Sequence, residues 1–192
     1  MQRGMTFRQY RAMDVFFFTV LLCICESLIA LAAHRWFPGE LYTLSLTATV
    51  TALVMVRWGI WAAIPAVLGG MAFCLSSGAR APHYLIYGVG NLLALSLLPV
   101  LGKNGWQKMH ENVLLALLYG FITAVLMQVG RLLLALLLGN PFPVCVGFVT
   151  TDVLSAFFAA LVIWICRRLD GMLEEQTHYL KRIQKEKENQ GL

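Results

Sequence analysis

The chain has 192 residues, of which 59% are apolar and only 13% are charged, and its mean hydropathy is +0.70. Soluble domains contain roughly 45 to 50% apolar and about 25% charged residues. This composition therefore predicts one compact membrane domain and excludes a separate soluble domain of useful size. The net charge of +5 is dispersed over short loops and both ends of the chain, so it does not favour a nucleic-acid partner.

Six apolar segments follow one another along the chain, and each is long enough, or nearly so, to cross a bilayer as a helix. The first follows a basic start but ends at His34 without a small-residue cleavage site, so we interpret it as a retained span. Only Arg57, Trp58 and Gly59 separate the second segment from the third, which predicts a tight hairpin there. The segments cover approximately residues 15–33, 41–56, 58–75, 83–101, 112–138 and 144–166.

Lysine and arginine are distributed very unequally between the alternate loops. The poorer side has only Arg35 and Arg80, and Arg131 falls inside the fifth segment. The richer side holds Arg3, Arg8, Arg11, Arg57, Lys103, Lys108, Arg167, Arg168, Lys181, Arg182, Lys185 and Lys187. By the positive-inside rule the richer side is cytoplasmic, so we predict an all-α, polytopic membrane protein with six transmembrane helices, N-in and C-in.

The C-terminal residues 170–192 differ in composition from the membrane domain of residues 1–169, because they are strongly charged and rich in helix formers. A short, charged cytoplasmic helix is predicted there. Two roles stay open for it: a solvated tail that keeps the last span in register, or a docking surface for a cytoplasmic partner.

Three ionisable residues lie inside the predicted spans: Glu26, Arg131 and Asp152. Such residues are costly in a bilayer, face the protein interior and indicate a functional site by default. With a rise of 1.5 Å per residue, each lies roughly 10 to 13 Å below the outer boundary. Asn91 and Gln128 fall in the same layer or slightly deeper, so these five residues are predicted to share a depth.

Two interpretations of this layer remain open. In the first, Arg131 pairs with an acidic residue only to hold helices together. In the second, the layer lines a polar pocket that opens outward. The second is favoured because three charges and two amides exceed what one structural ion pair requires. Trp36 and Tyr84 lie near the outer helix ends, where aromatic residues either form an interfacial belt or, with the outer loop of residues 34–42, cover a ligand. Thr150 and Thr151 add hydroxyl donors beside Asp152.

Small residues recur at helix-packing spacing on two spans. On the third they are Ala62, Ala66 and Gly70, and on the first they are Cys23, Ser27 and Ala30. The neighbour of such a face is most often another helix of the same chain, although the face on the first span also suits a partner protein.

The sequence contains no Walker lysine loop, no HExxH, no GxSxG and no paired Cys/His ligands. We therefore expect no enzyme activity, no cofactor and no metal, because the motifs that supply hydrolytic chemistry are missing.

Over approximately residues 13–168, the sequence resembles the substrate-binding S components of energy-coupling factor (ECF) transporters. The resemblance rests on chain size, on six spans with both ends inside, on the hairpin MVRWGIWAAIPAVLGG, on the outer loop HRWFPGELYTLSL and on polar residues in the outer halves of spans four to six. The resemblance implies a multi-pass protein of a bacterial cell membrane that captures a vitamin or related micronutrient.

The resemblance also implies partners and roles. The partners are a transmembrane coupling subunit and two cytoplasmic ATPase subunits, and the coupling subunit meets the first span at the positions of Cys23, Ser27 and Ala30, where the family commonly has an Ala-xxx-Ala face. The substrate would be bound by Arg131, Asp152, Glu26, Asn91, Gln128, Trp36 and Tyr84.

A different class of function also fits the sequence: a structural membrane subunit of the cell-wall elongation machinery, similar to the rod-shape-determining membrane protein. In that case the polar layer is a helix lock and the tail a docking site. An independent secondary transporter is disfavoured, because no inverted repeat is visible and six short spans leave little room for two moving halves.

Overall fold

The computed structural model describes residues 6–38, 44–102 and 105–189. Over these residues the chain is helical and has no strand, so the all-α prediction is confirmed. Two 3-10 segments, Gly59–Ala62 and Asn91–Leu97, join neighbouring helices. The α-helices are α1 (Phe7–Trp36), α2 (Thr47–Trp58), α3 (Ala63–Ser76), α4 (Ala81–Gly90), α5 (Leu98–Leu101), α6 (Gly105–Glu111), α7 (Val113–Leu137), α8 (Phe142–Thr150), α9 (Val153–Cys166) and α10 (Gln176–Asn189).

Five stretches within the described ranges are long and apolar enough to cross a membrane, as expected for a helical membrane protein. By length and composition, the predicted second and third spans form one of these stretches. The number of passes and the orientation stay predictions. The stretches are Phe7–Trp36, Thr47–Ser76, Ala81–Leu101, Val113–Leu137 and Phe142–Cys166.

The stretch Thr47–Ser76 is folded back on itself at Gly59. Gly59 has φ +60° and ψ −122°, a conformation that glycine adopts far more readily than residues with a Cβ. Beyond this bend α3 returns beside α2, so that a Cβ on Gly69 would lie 2.7 Å from Thr47 Oγ1. The tight hairpin predicted at Arg57-Trp58-Gly59 is therefore present, and α2 alone is about 18 Å long.

Glycines allow the helices around the centre of the molecule to approach closely. At the crossing of α4 and α7, a Cβ on Gly130 would overlap the carbonyl oxygen of Gly90. At the crossing of α7 and α9, a Cβ on Gly120 would lie 2.7 Å from the carbonyl oxygen of Ala159. Close approach of this kind is the usual means of tight helix packing in membranes, and it fixes α4, α7 and α9 relative to one another.

The C-terminal segment packs against the turn of the α2–α3 hairpin. Arg57 is buried, pairs with Asp14 of α1 at 2.9 Å and donates to the carbonyl oxygen of Gly171 at 2.6 Å. Leu173 is fully buried in the main hydrophobic cluster. A helix does follow, α10, but the segment that leads into it is part of the core. The predicted charged helix is therefore present, and its cytoplasmic location stays a prediction. Arg57, which belongs to the predicted charge-rich side, also holds the C-terminal segment against the core.

Candidate functional site

Arg131 lies at the centre of a buried polar cluster. Its side chain reaches from α7 to two other parts of the fold, because Nη1 donates to Asp152 Oδ2 at 2.7 Å and Nε donates to Asn91 Oδ1 at 2.8 Å. Asn91 Nδ2 in turn donates to the carbonyl oxygen of Ala66 on α3 at 2.9 Å. The guanidinium carbon lies 4.6 Å from the centroid of the Tyr87 ring, which is cation–π geometry.

Asp152 connects Arg131 to the remaining helices. Its Oδ1 accepts a short hydrogen bond from Ser155, and the Ser155 oxygen accepts the backbone N–H of Ser45 at 2.8 Å. Its backbone carbonyl accepts from Gln128 Nε2 at 2.7 Å. Ser45 Oγ then donates to Glu26 Oε1 at 2.7 Å. One continuous chain of hydrogen bonds therefore runs from Glu26 on α1 to Ala66 on α3.

Glu26 caps the start of α2. Its Oε1 accepts the backbone N–H groups of Leu46 and Thr47 at 2.7 and 2.8 Å, together with the Thr47 hydroxyl at 2.8 Å. These N–H groups have no partner within their own helix, and a carboxylate is well suited to the positive end of the helix dipole. Glu26 is completely buried, and its Oε2 has no hydrogen-bond partner within the described part of the chain.

Two of the apolar stretches lose regular helical structure at this layer. In Ala81–Leu101 the helix changes to a 3-10 segment at Asn91, and in Phe142–Cys166 the helix breaks at Thr151 and Asp152. Non-helical backbone at membrane depth requires partners from the surrounding protein. Gln128 supplies one by donating to the carbonyl oxygen of Asp152, so the breaks and the polar side chains belong to one local structure.

A small cavity adjoins Arg131. Its volume is about 10 Å³, roughly the space of one water molecule. Arg131, Asp152 and Tyr87 form its polar wall, and it is lined by Ser45, Thr47, Gly70, Phe73, Tyr87, Arg131 and Asp152. The cavity is too small for any larger ligand in this conformation.

Five of the seven predicted substrate-binding residues belong to this cluster: Glu26, Asn91, Gln128, Arg131 and Asp152. Trp36 lies at the end of α1 with 71% of its surface exposed, and Tyr84 lies one turn before Tyr87, on α4. Neither lines the cavity beside Arg131. The hydroxyl groups of Thr150 and Thr151 donate to backbone carbonyls of α8, those of Val146 and Gly147, and not to the cluster. Residues 39–42 of the predicted outer lid lie outside the described residues.

The predicted partner-contact face on α1 lies partly against α3 of the same chain. Cys23 Sγ donates to the carbonyl oxygen of Leu68 at 3.7 Å, and Ala30 is buried, whereas Ser27 is half-buried. At Cys23, the small-residue face of α1 therefore contacts a helix of the same chain, which is the most common neighbour for such a face.

Sequence reasoning missed Ser45, Thr47, Ser155 and the contact of Tyr87 with Arg131. A signal existed for some of them. Ser155 lies three residues after Asp152, which places the two on one face of a helix, and Ser45 and Thr47 are typical of a helix start. Comparison with protein-family models, curated proteins and solved structures finds no match to this chain.

Proposed function

We propose that this chain is the membrane-embedded substrate-binding subunit, or S component, of an ECF-type transporter in a bacterial cell membrane. It passes the membrane six times with both ends inside and captures a vitamin or related micronutrient from outside. A transmembrane coupling subunit and two cytoplasmic ATPase subunits drive uptake, and this chain supplies affinity and specificity.

The observation that carries this proposal is the buried layer in which Arg131 borders a cavity between two broken helices. Ionisable residues within transmembrane segments are rare and typically mark substrate or ion pathways. Discontinuous spans are also typical of transporter binding sites, because a helix break presents backbone groups to a ligand. A guanidinium with five donors suits a carboxylate or phosphate on the ligand.

The small volume of this cavity sets a requirement for capture. Because about 10 Å³ holds no more than one water, a vitamin-sized ligand enters only if the side chains around Tyr87 and Ser45 move apart. In the ligand-free state, Arg131 donates its N–H groups to Asp152 and Asn91. In the proposed bound state, some of these N–H groups donate to the ligand instead.

A second candidate, the structural subunit of the cell-wall elongation machinery, is favoured by one specific observation. The chain of hydrogen bonds from Glu26 to Ala66 joins α1, α9, α7, the Asn91 segment and α3 without any ligand. Such a network also fits a pure helix lock, in which Arg131 has no substrate to contact.

Co-purification and uptake separate the two candidates. The full chain, tagged and extracted from its native membrane, is expected to bring down ATP-binding subunits, and vesicles with this chain alone are expected not to accumulate its retained small molecule. Co-purification of filament or peptidoglycan-synthesis proteins would favour the structural subunit. Uptake by the chain alone, driven by an ion gradient, would instead indicate secondary transport.

The proposed orientation is tested by single-cysteine labelling on a cysteine-free background. Arg80 and Gln107 are both exposed, and we expect Arg80→Cys to react with an impermeant reagent on intact cells and Gln107→Cys to react only after lysis. The two variants act as controls for each other. Labelling of Gln107→Cys from outside would exclude six spans with both ends inside.

A further inference from the structure

We propose that the groove between α1 and α3 binds an anionic phospholipid of the cytoplasmic leaflet, with its phosphate on Arg8 and Arg11 and one acyl chain along α1. The groove has a volume of about 440 Å³ and runs along the outside of the bundle. This site is separate from the polar layer, since Arg131 and its partners do not line it. The inference depends on the proposed orientation, but on no substrate.

The walls of the groove suit a hydrocarbon chain. Beyond the two arginines, the polar side chains that α1 contributes to the groove are Thr19 and Cys23, and both donate to backbone carbonyls: Thr19 to Val15 at 2.7 Å and Cys23 to Leu68 at 3.7 Å. The part of α1 that follows the arginines therefore offers an acyl chain an apolar wall whose hydroxyl and thiol groups are already hydrogen-bonded. Besides Arg8 and Arg11, the lining residues are Ala12, Val15, Phe16, Thr19, Val20, Cys23, Ile24, Trp61, Ile64 and Leu68.

The charge at one end of the groove is complementary to a phosphate. Arg8 and Arg11 are three residues apart on one face of α1, and within the described residues neither forms an ion pair. The Arg11 guanidinium carbon lies 4.4 Å from the Trp61 ring centroid, which holds it at the mouth of the groove. Basic pockets between transmembrane helices on the cytoplasmic side are typical sites for anionic headgroups.

The length of the groove matches one leaflet. From Arg11 to Ile24 the helix rises about 20 Å, and half of a typical hydrocarbon core is roughly 15 Å thick. The charged end lies at the same end of the molecule as Arg57 and the hairpin turn, because Arg11 and Trp61 also line the cavity beside Arg57. An anionic lipid of the inner leaflet would therefore place its phosphate beside the arginines and its acyl chain along the apolar part of the groove.

The test measures lipids retained by the purified full chain after exchange into detergent with equal amounts of phosphatidylglycerol and phosphatidylcholine. Wild type is expected to retain phosphatidylglycerol preferentially. The double variant Arg8→Gln with Arg11→Gln should weaken this binding roughly 25-fold, because each basic residue near a headgroup contributes about a factor of five. Ala12→Trp, which fills the groove, should reduce retention of both lipids.

Arg168→Gln is the matched control. Arg168 is exposed and, like Arg11, lies over a tryptophan, with its guanidinium carbon 5.0 Å from the Trp164 ring centroid, but it does not line this groove. Its replacement should leave phosphatidylglycerol retention unchanged. Equal retention of the two lipids by wild type would overturn the proposal, as would unchanged lipid retention in the double variant or in Ala12→Trp. Loss of a co-purifying protein from the double variant, with its lipid intact, would assign the groove to a partner helix instead.

Discussion

Replacing Arg131 by Gln is expected to destabilise the protein by about 3–5 kcal/mol, because it removes the only charge partner within 4 Å that the described residues provide for the buried Asp152 carboxylate. Both side chains of this pair are nearly inaccessible to solvent. A lone ionised carboxylate in such a place has no cation and at most one water to stabilise it. Thermal unfolding of the detergent-purified variant measures the effect, and an unchanged midpoint would contradict the burial of this ion pair.

The double variant Arg131→Met with Asp152→Asn distinguishes a lock from a binding residue. It removes the carboxylate that Arg131→Gln would leave without a cation, so most of the stability lost in Arg131→Gln should return. If Arg131 only locks helices, this rescued protein should also keep any ligand that wild type retains. If Arg131 contacts the ligand, the rescued protein should fold normally but no longer retain the ligand.

Gly130→Ala is expected to have the next largest effect. The added Cβ would overlap the carbonyl oxygen of Gly90 in the backbone of α4, and backbone cannot rotate away as a flexible side chain can. Either the crossing of α4 and α7 opens or the helices shift, and overpacking of this kind costs about 1–3 kcal/mol or more. Because Arg131 and Asn91 adjoin the two glycines, the shift should also disturb the hydrogen bond between them.

Gly147→Ala is the control for this variant. Gly147 lies inside α8, and nothing lies within 4 Å of the position of its missing Cβ. Alanine there should be neutral or stabilise the helix by up to about 1 kcal/mol. Thermal unfolding of the two variants side by side measures the difference, and equal midpoints would show that α4 and α7 do not cross as closely as described.

The polar layer could be predicted from the sequence because depth in a membrane is nearly one-dimensional. Segment boundaries and the helical rise placed Glu26, Arg131 and Asp152 at one level, and the structure links these three through hydrogen bonds. Ser45 and Tyr87 were harder to find. Their place in the polar cluster depends on how each helix is rotated about its axis and on where the hairpin folds back. The position of a hydrophobic segment in the sequence does not reveal either.

The C-terminal segment shows a second limit of sequence reasoning. Its composition is dominated by charge, which predicts a solvated helix, yet Leu173 is fully buried and Gly171 accepts from Arg57. Single buried residues within a charged segment leave no periodic signal. Arg57 gave a signal of a different kind, because it adds to the charge of the predicted cytoplasmic side and is nevertheless buried beside Asp14.

The most direct test of the proposed function is mass spectrometry of small molecules that the purified chain retains. Wild type is expected to release one micronutrient-like compound in near-equal amount to protein, and the rescued double variant of Arg131 and Asp152 should retain at least roughly thirtyfold less, since charge-assisted contacts of this kind contribute about 2–5 kcal/mol. If the folded double variant retained the compound as well as wild type, or if wild type released nothing above a detergent blank, substrate capture at Arg131 would be contradicted.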